Sequence, residues 1–186
     1  MVELKKKYQI GKRRFGLINW VGVYSLYKKE VLRFITVAGQ TIIGPVVTSV
    51  LFLTVISLAI GDERRDVLGV PFIQFLAPGL IAMQIIQQSF SHSSSTLLMG
   101  KVMGNIVDLI GAPLSASEVT LSIIFASITR GIFISVFSLI VFSLMVEIEI
   151  KNYLILIVYL FLNGFLMGAA GFIAGQWSDK FEHLAG

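Results

Sequence analysis

The sequence has no cysteine and little charge. Without cysteine, neither a disulfide framework nor a thiolate metal site is possible. Charged residues make up 14% of the 186 residues and hydrophobic residues 55%, whereas about 25% of a soluble globular domain is charged. A chain this poor in charge and this rich in apolar residues is predicted to lie in a lipid bilayer.

The usual motifs of catalysis are also missing. Neither Gly-Lys pair, at Gly11 and at Gly100, has the earlier glycine and the following Ser or Thr of a phosphate-binding P-loop. The sequence contains no His-Glu-x-x-His zinc motif and no Gly-x-Ser-x-Gly nucleophile elbow. We therefore expect no enzyme activity, no bound metal and no cofactor in this chain.

Positive charge is abundant at one end only. Nine of the fifteen Lys and Arg residues lie in the first 34 positions: Lys5, Lys6, Lys7, Lys12, Arg13, Arg14, Lys28, Lys29 and Arg33. A basic segment before the first apolar run is typical of a cytoplasmic N-terminus and of contact with anionic lipids, and the clustering argues against nucleic-acid binding. The apolar run that follows exceeds the ~7–15 residues of a cleavable signal peptide, so we expect it to remain.

Residues 1–34 are predicted to form a basic cytoplasmic segment with an amphipathic helix. Apolar side chains recur at helical spacing from Leu17 to Phe34, with Trp, Tyr and Lys among them. Aromatic rings and basic side chains both suit the headgroup region, so an interfacial helix is expected. The alternative is the frayed start of the first span.

Residues 35–186 are predicted to form one all-α transmembrane domain. Four apolar stretches, at about 35–60, 72–91, 119–146 and 153–175, are long enough to cross a bilayer. The Gly44-Pro45 pair in the first is either a hinge or a static kink. The fourth contains glycines at small-xxx-small spacing, which indicates close helix packing: Gly164, Gly168, Gly171 and Gly175. The chain stops in a polar stretch, and we expect it to be incomplete at its C-terminus.

The second and third stretches hold polar side chains that should face protein or water. Gln84, Gln87, Gln88 and Ser91 lie along the second, and Arg130 lies inside the third. These residues either line the path of a transported molecule or bond neighbouring helices. His92 is predicted to be a solvated interfacial residue, with a proton relay as the alternative.

A short surface helix is predicted between the second and third stretches. The Ser cluster at 91–96 suggests that the chain leaves the membrane, and the segment from Gly100 to Ile110 is amphipathic. Gly111 and Pro113 then end it. The residues assigned to this helix are Gly100, Lys101, Val102, Ile106, Leu109 and Ile110. Ser115 and Glu118 offer N-cap chemistry for the next helix.

These stretches resemble a known family. Phe72-x-x-Phe-Leu-x-Pro-Gly-Leu80, followed by Met103-Gly104, Leu109-Ile110 and Pro113-Leu-Ser115, is similar to the permease subunit of type-2 ATP-binding-cassette exporters. The resemblance implies that the surface helix is the coupling helix resting on an ATPase subunit, and that the N-terminal helix is the family's connecting helix. It further implies a bacterial inner-membrane location and a dimer with itself or a homologous permease. The family usually has six spans, whereas this chain has room for four.

The resemblance leads to one functional hypothesis with two rivals. A permease subunit would export a polysaccharide, a lipid-linked molecule or a hydrophobic small molecule, and ATP would be bound by the partner subunit. A secondary transporter or channel is the first rival, but the spans have no central Asp or Glu to couple to protons. A membrane scaffold without transport activity is the second.

Overall fold

The computed structural model describes residues 18–60, 67, 69–148, 150 and 152–178. Six α-helices follow one another in this part of the chain: α1 (Trp20–Thr36), α2 (Gly44–Ile60), α3 (Phe72–Val102), α4 (Ile106–Gly111), α5 (Ala116–Ser143) and α6 (Tyr153–Trp177). A short π-helical segment, Gly39–Ile43, joins α1 to α2. The expectations for residues 1–17, for the turn at 61–66, for Glu149 and Lys151 and for the tail from residue 179 lie outside the described residues.

The protein is a polytopic helical membrane protein. Among the described residues, three helical stretches are long and apolar enough to cross a bilayer, namely Gly39–Ala59, Ala116–Ser143 and Tyr153–Trp177. Helix α3, predicted as the second span, is also long enough, but its glutamines and serines make it less apolar than the others. Because a polar stripe must be covered by protein inside a bilayer, α3 becomes the centre of the bundle and packs against both α5 and α6.

Helix α3 runs well beyond the end that the sequence suggested. The cluster at 91–96 does not mark an exit from the bundle, because His92, Ser93, Ser94 and Thr96 are all buried. The hydroxyl groups of Ser94 and Thr96 donate to the carbonyls of Phe90 and His92 one turn earlier. Small hydroxyl side chains can be buried when they bond carbonyls of their own helix. A run of Ser and Thr is therefore not sufficient evidence that the chain leaves the membrane.

Helix α1 runs alongside α5 in the same direction. The main-chain nitrogen of Asn19 bonds Glu118, the hydroxyl of Ser122 bonds the carbonyl of Val23, and Tyr27 bonds Thr129. The face of α1 turned to the bundle carries Leu26, Glu30 and Phe34, whereas Trp20, Val21 and Tyr24 point outward. The predicted apolar face is thus divided, since its first part points outward and Phe34 packs inside, and the inner face also includes a charged residue.

Helix α6 packs against α3 and α5 through its glycines. A Cβ added at Gly164 would lie 3.4 Å from the Ile128 side chain of α5. One at Gly175 would lie 2.7 Å from the carbonyl oxygen of Ser94 in α3. Gly168 faces Ser127 of α5, and Gly171 faces the main chain of Phe90 in α3. The four glycines therefore divide between two partners, two for α5 and two for α3.

Candidate functional site

A polar cluster is buried where α1, α3 and α5 meet. We use this name for Glu30 and Arg33 of α1, Gln88, His92 and Thr96 of α3, and Arg130 of α5. Glu30 is 3% exposed and His92 fully buried. With histidine neutral, the cluster holds two positive charges and one negative charge. Charges in such a position require partners, because burying them unpaired costs several kcal/mol.

Glu30 is the centre of the α1 side of the cluster. Its Oε2 lies 3.1 Å from Arg33 Nη2 and 3.9 Å from His92 Nε2. The hydroxyl of Thr96 accepts from Arg33, and it lies 3.2 Å from Glu30 Oε2 and 2.7 Å from the carbonyl of His92. One carboxylate from α1 therefore bonds Thr96 of α3 and lies beside His92 without a hydrogen bond to it.

Arg130 closes the cluster from α5. Its Nη2 donates to Gln88 Oε1 at 2.8 Å, and its Nη1 lies 3.5 Å from His92 Nδ1. Its Nε and the Nε2 of His92 are buried without a hydrogen-bond partner among the described residues. The arginine thus bonds a neighbouring helix, and His92 is not solvated as the sequence suggested. The length of α3 explains this, because it keeps His92 inside the bundle.

The other predicted polar residues separate into different environments. The amide of Gln84 is buried and donates to the carbonyl of Pro45, at 2.9 Å, and to the Ser49 hydroxyl, both on α2. Gln87 and Ser91 are exposed on the outside of the bundle. Only Gln88 and Arg130 of the five proposed pathway residues come together, so the structure does not form one continuous polar stripe.

The predicted surface helix is divided by a turn. Gly100, Lys101 and Val102 belong to the last turn of α3, and only Ile106, Leu109 and Ile110 lie in the separate helix α4. Gly104 has φ +75°, a left-handed conformation that favours glycine, and it marks the break between the two helices. We call residues 103–115, with α4 in their middle, the connecting turn.

The connecting turn exposes apolar side chains. Helix α4 has no buried residue. Ile106 and Leu109 are half-buried and face small cavities beside α3 and α5. Val107 and Ile110 are 69% and 77% exposed, and Met103 just before them is 64% exposed. The apolar side chains exposed here are therefore Met103, Val107 and Ile110, whereas Ile106 and Leu109 contact this chain.

Helix α1 is attached to the connecting turn at its first residues. Asn19 Nδ2 donates to the carbonyl of Pro113 at 3.2 Å, and its main-chain nitrogen donates to Glu118 Oε1 at 2.7 Å. The other oxygen of Glu118 accepts from the main-chain nitrogen of Ser115, which forms the capping box of α5. The Cβ of any larger residue at Gly22 would lie 2.6 Å from Leu114. The expected N-cap chemistry of Ser115 and Glu118 is present, and it extends to α1.

Lys101 was expected in the surface helix, but it contacts the end of α6. Its Nζ donates to the carbonyls of Gln176 and Ser178, the latter at 2.9 Å, at the end of α6. The last carbonyls of a helix lack intrahelical partners, and a lysine is a favourable donor to them. Lys101 therefore joins the end of α3 to the end of α6 beside the connecting turn.

The functional residues that the sequence did not reveal belong mostly to α1. Glu30 and Asn19 lie far from their partners in the chain, and nothing in the spacing of α1 indicates a contact with His92 or Glu118. One signal was available: Glu30 follows Leu26 and precedes Phe34 at intervals of four, and a charge on such a face requires a partner.

Comparisons with known proteins agree with this architecture. The family described as ABC-2 type transporter matches residues 22–185. The chain is similar to the inner membrane transport permease YadH of Escherichia coli strain K12, with 26% identity over 168 residues, and equally to the protein of that name in Shigella flexneri. The match covers 90% of this chain and 66% of the relative. No solved structure matches. Since the family match covers most of the residues, this chain belongs to the ABC-2 type transporter family.

Proposed function

We propose that this chain is the permease subunit of an exporter in the bacterial inner membrane, driven by a separate ATPase subunit that docks on the connecting turn. The substrate would be a polysaccharide, a lipid-linked molecule or a hydrophobic small molecule, and the permease would act as a dimer with itself or a homologue. ATP would bind to the partner subunit. The family and the similarity to an inner membrane transport permease support this proposal.

The exposed side chains of the connecting turn are the observation that carries it. Val107 and Ile110 lie on the face of α4 that points away from the other described elements. A helix six residues long contributes little stability of its own, so an apolar outer face there is better explained by a partner than by folding. Buried apolar anchors supply most of the binding energy at such contacts.

Movement of the connecting turn would reach the bundle along two routes. It continues directly into α3 and α5, and Asn19 attaches the start of α1 to Pro113 and Glu118. Glu30, toward the other end of α1, belongs to the polar cluster. A displacement of the connecting turn would therefore pass along α1 to that cluster. Rigid-body movement of packed elements is a common means of coupling distant sites.

The test is purification of the chain from its native membrane, with the co-purified ATPase identified by its P-loop sequence. We expect Val107→Asp with Ile110→Asp to lower the amount of bound ATPase at least tenfold, because docking would bury two unpaired carboxylates in an apolar contact. Insertion into the membrane should be unchanged. The matched control is Leu144→Asp, since Leu144 is 83% exposed at the opposite end of α5.

Two results would contradict the proposal. Full retention of the ATPase by the double variant would show that the connecting turn is not the docking surface. An equal loss with Leu144→Asp would show that any exposed charge disturbs the protein.

A proton-driven transporter is the second candidate, and one observation favours it. Among the described residues, the only acidic residue of the spanning helices is Glu118 at the start of α5, but α1 places Glu30 beside His92, which in turn lies beside Arg130. Buried Glu and His groups occur in proton relays. The same purification separates the two candidates, since a proton-driven carrier should retain no ATPase from the native membrane even with an unchanged connecting turn.

A further inference from the structure

Helices α1 and α2 are joined by a segment in which regular α-helical hydrogen bonding is interrupted twice. The π-helical segment Gly39–Ile43 comes first, and Pro45 follows it in the first turn of α2. A proline has no N–H to bond the carbonyl four residues earlier, and both prolines and π-helical turns are usual places for a helix to bend. We call residues 39–45 the joint.

The joint has room to change its shape. A Cβ built on Gly39 or on Gly44 would have no atom within 4 Å, so packing of the described chain does not require either glycine. The Thr41 hydroxyl lies 3.1 Å from the Phe34 carbonyl and 3.0 Å from that of Val37, which satisfies carbonyls at the end of α1. Because glycine restricts the main chain less than any other residue, the joint can bend without losing packed side chains.

Helix α2 touches the rest of the bundle along one narrow face. The buried side chains of the joint and of α2 lie three or four residues apart, at Ile42, Val46, Ser49 and Leu53. The other faces of α2 are open, since Val47, Leu51 and Leu58 are exposed. In the part of the chain that the structure describes, α2 is therefore the most lightly held of the long helices.

Gln84 of α3 is the one residue of the described chain that joins α2 to another helix by hydrogen bonds. Its Nε2 donates to the carbonyl of Pro45, at 2.9 Å, and to the Ser49 hydroxyl. Gln84 and Ser49 are both buried. Inside a bilayer no water is available to replace such bonds. The amide therefore fixes the position of α2 at the point where the main chain is free to bend.

The contact that this amide stabilises is only partly paired. The Oε1 of Gln84 and the hydroxyl of Ser138 in α5 are buried with no hydrogen-bond partner among the described residues. Ser138 lies one turn after Ile134, which packs against the joint and α2 through Ile42 and Val46. Buried polar atoms without partners cost free energy. The contact between α2 and the bundle is therefore weaker than its apolar side chains alone would make it.

We propose that the joint is a hinge and that Gln84 is the latch that holds α2 closed against α3 and α5. When the two hydrogen bonds of the amide break, α2 tilts as a rigid helix about the joint, and its far end moves away from the bundle. The Gly44-Pro45 pair is then part of a hinge and not a static kink. This movement belongs to the chain alone and does not depend on an ATPase partner.

The experiment measures the distance between two spin labels by pulsed electron double resonance, on the purified chain in lipid nanodiscs. The sequence has no cysteine, so labels attach only where cysteine is introduced. Leu58→Cys with Leu144→Cys places them at exposed positions, near the far end of α2 and just after α5. Leu58 lies roughly 20 Å along α2 from the joint, so a tilt of about 15° moves it by about 5 Å. We expect a major distance and a minor one longer by that amount.

Three substitutions test the latch. Gln84→Met removes the donor and keeps the length of the side chain, and it should raise the fraction at the longer distance about threefold to tenfold, as expected for a lost hydrogen bond. Ser49→Ala keeps the bond to Pro45 and should raise it about twofold. Gln87→Met is the matched control, because it changes an exposed amide of the same helix, and it should leave the distances unchanged.

A further variant tests the hinge. Gly39→Ala with Gly44→Ala restricts the main chain of the joint, while each added Cβ has open space. Added to Gln84→Met, it should return the fraction at the longer distance toward that of the unchanged protein. Labels at Leu144→Cys with Ile173→Cys, which are exposed positions outside α2, should keep one distance in every variant.

Three outcomes would overturn the proposal. Unchanged distances in both Gln84→Met and Ser49→Ala would show that the amide does not hold α2. An equal change in Gln87→Met would show that the loss of any amide from α3 disturbs the bundle. A fraction at the longer distance that the two glycine substitutions do not lower would place the movement outside the joint.

Discussion

Helix α3 is held on two sides by different means. Along α6 its main chain touches Gly171 and Gly175, where there is no room for a Cβ. Toward α1 and α5 it is held by the polar cluster, through His92, Thr96 and Gln88. The contact with α6 depends on shape. It fixes the position of α3 relative to α6, because closely packed main chains fit together in one way.

The second contact permits exchange of partners. In the polar cluster the Thr96 hydroxyl lies within bonding distance of both Glu30 and the His92 carbonyl, and two nitrogens remain unpartnered among the described residues. A small rotation of α1 would replace one hydrogen bond by another at little cost. We therefore expect α3 and α6 to move as one unit, and α1 to move against them.

The largest effect is expected from filling the glycine contact. Gly171→Ala with Gly175→Ala places a Cβ against the main chain of α3, and overpacking costs about 1–3 kcal/mol at each site. The melting temperature in detergent should fall sharply. Gly39→Ala with Gly79→Ala is the matched control, since neither Cβ would have an atom within 4 Å. An equal loss in both double variants would show that helix propensity or expression, not close packing, is responsible.

The next effect concerns the polar cluster. Glu30→Ala leaves Arg33 without its carboxylate partner, and we expect a loss of about 2 kcal/mol, below the 3–5 kcal/mol of a fully buried pair because Arg33 is 36% exposed. Adding Arg33→Met should recover part of the stability. Glu147→Ala, at an exposed glutamate, is the control. Thermal unfolding in detergent measures all three. If the double variant were less stable than Glu30→Ala alone, Arg33 would not depend on Glu30.

The smallest effect tests whether α3 and α6 are also joined at their ends. Lys101→Met removes the donor to the carbonyls of Gln176 and Ser178, worth about 1 kcal/mol for a partly exposed group. Hydrogen exchange should accelerate in the last turn of α6 and nowhere else. Lys28→Met, at an exposed lysine of α1, should leave exchange unchanged. Unaltered exchange in α6 after Lys101→Met would mean that the glycine contact alone aligns the two helices.

The sequence predicted the elements that depend on local patterns. Apolar length indicated the helices α2, α5 and α6, the Ser115 to Glu118 spacing indicated the cap of α5, and the Phe72 to Ser115 motifs indicated the family. Each of these signals follows the order of residues along the chain and does not depend on which helices are neighbours in space. The capping box is one example, since both of its hydrogen bonds join residues three apart.

What the sequence did not predict depends on contacts between distant residues. The cluster at 91–96 was interpreted as a boundary with water, but Ser93, Ser94 and Thr96 are buried, and Gly175 of α6 packs against the main chain of Ser94. Arg130 was identified as a residue in need of a partner, yet the partners Gln88 and His92 are about forty residues away. The burial of the cluster and the partners of Arg130 do not follow from hydropathy, because both depend on which helices are neighbours in the bundle.

Glu118 lies between the N-termini of α1 and α5, which run parallel to each other. Each helix carries roughly half a positive charge at its N-terminus, and two parallel helices that start side by side repel each other there. The two oxygens of this one carboxylate accept from the first residues of both helices, at 2.7 Å each. A single negative charge thus offsets two helix dipoles at once, which favours the parallel alignment. Glutamine has the same shape but no charge, and its NH2 group cannot accept a hydrogen bond, so it would restore the repulsion between the two helix starts and lose one of the two hydrogen bonds.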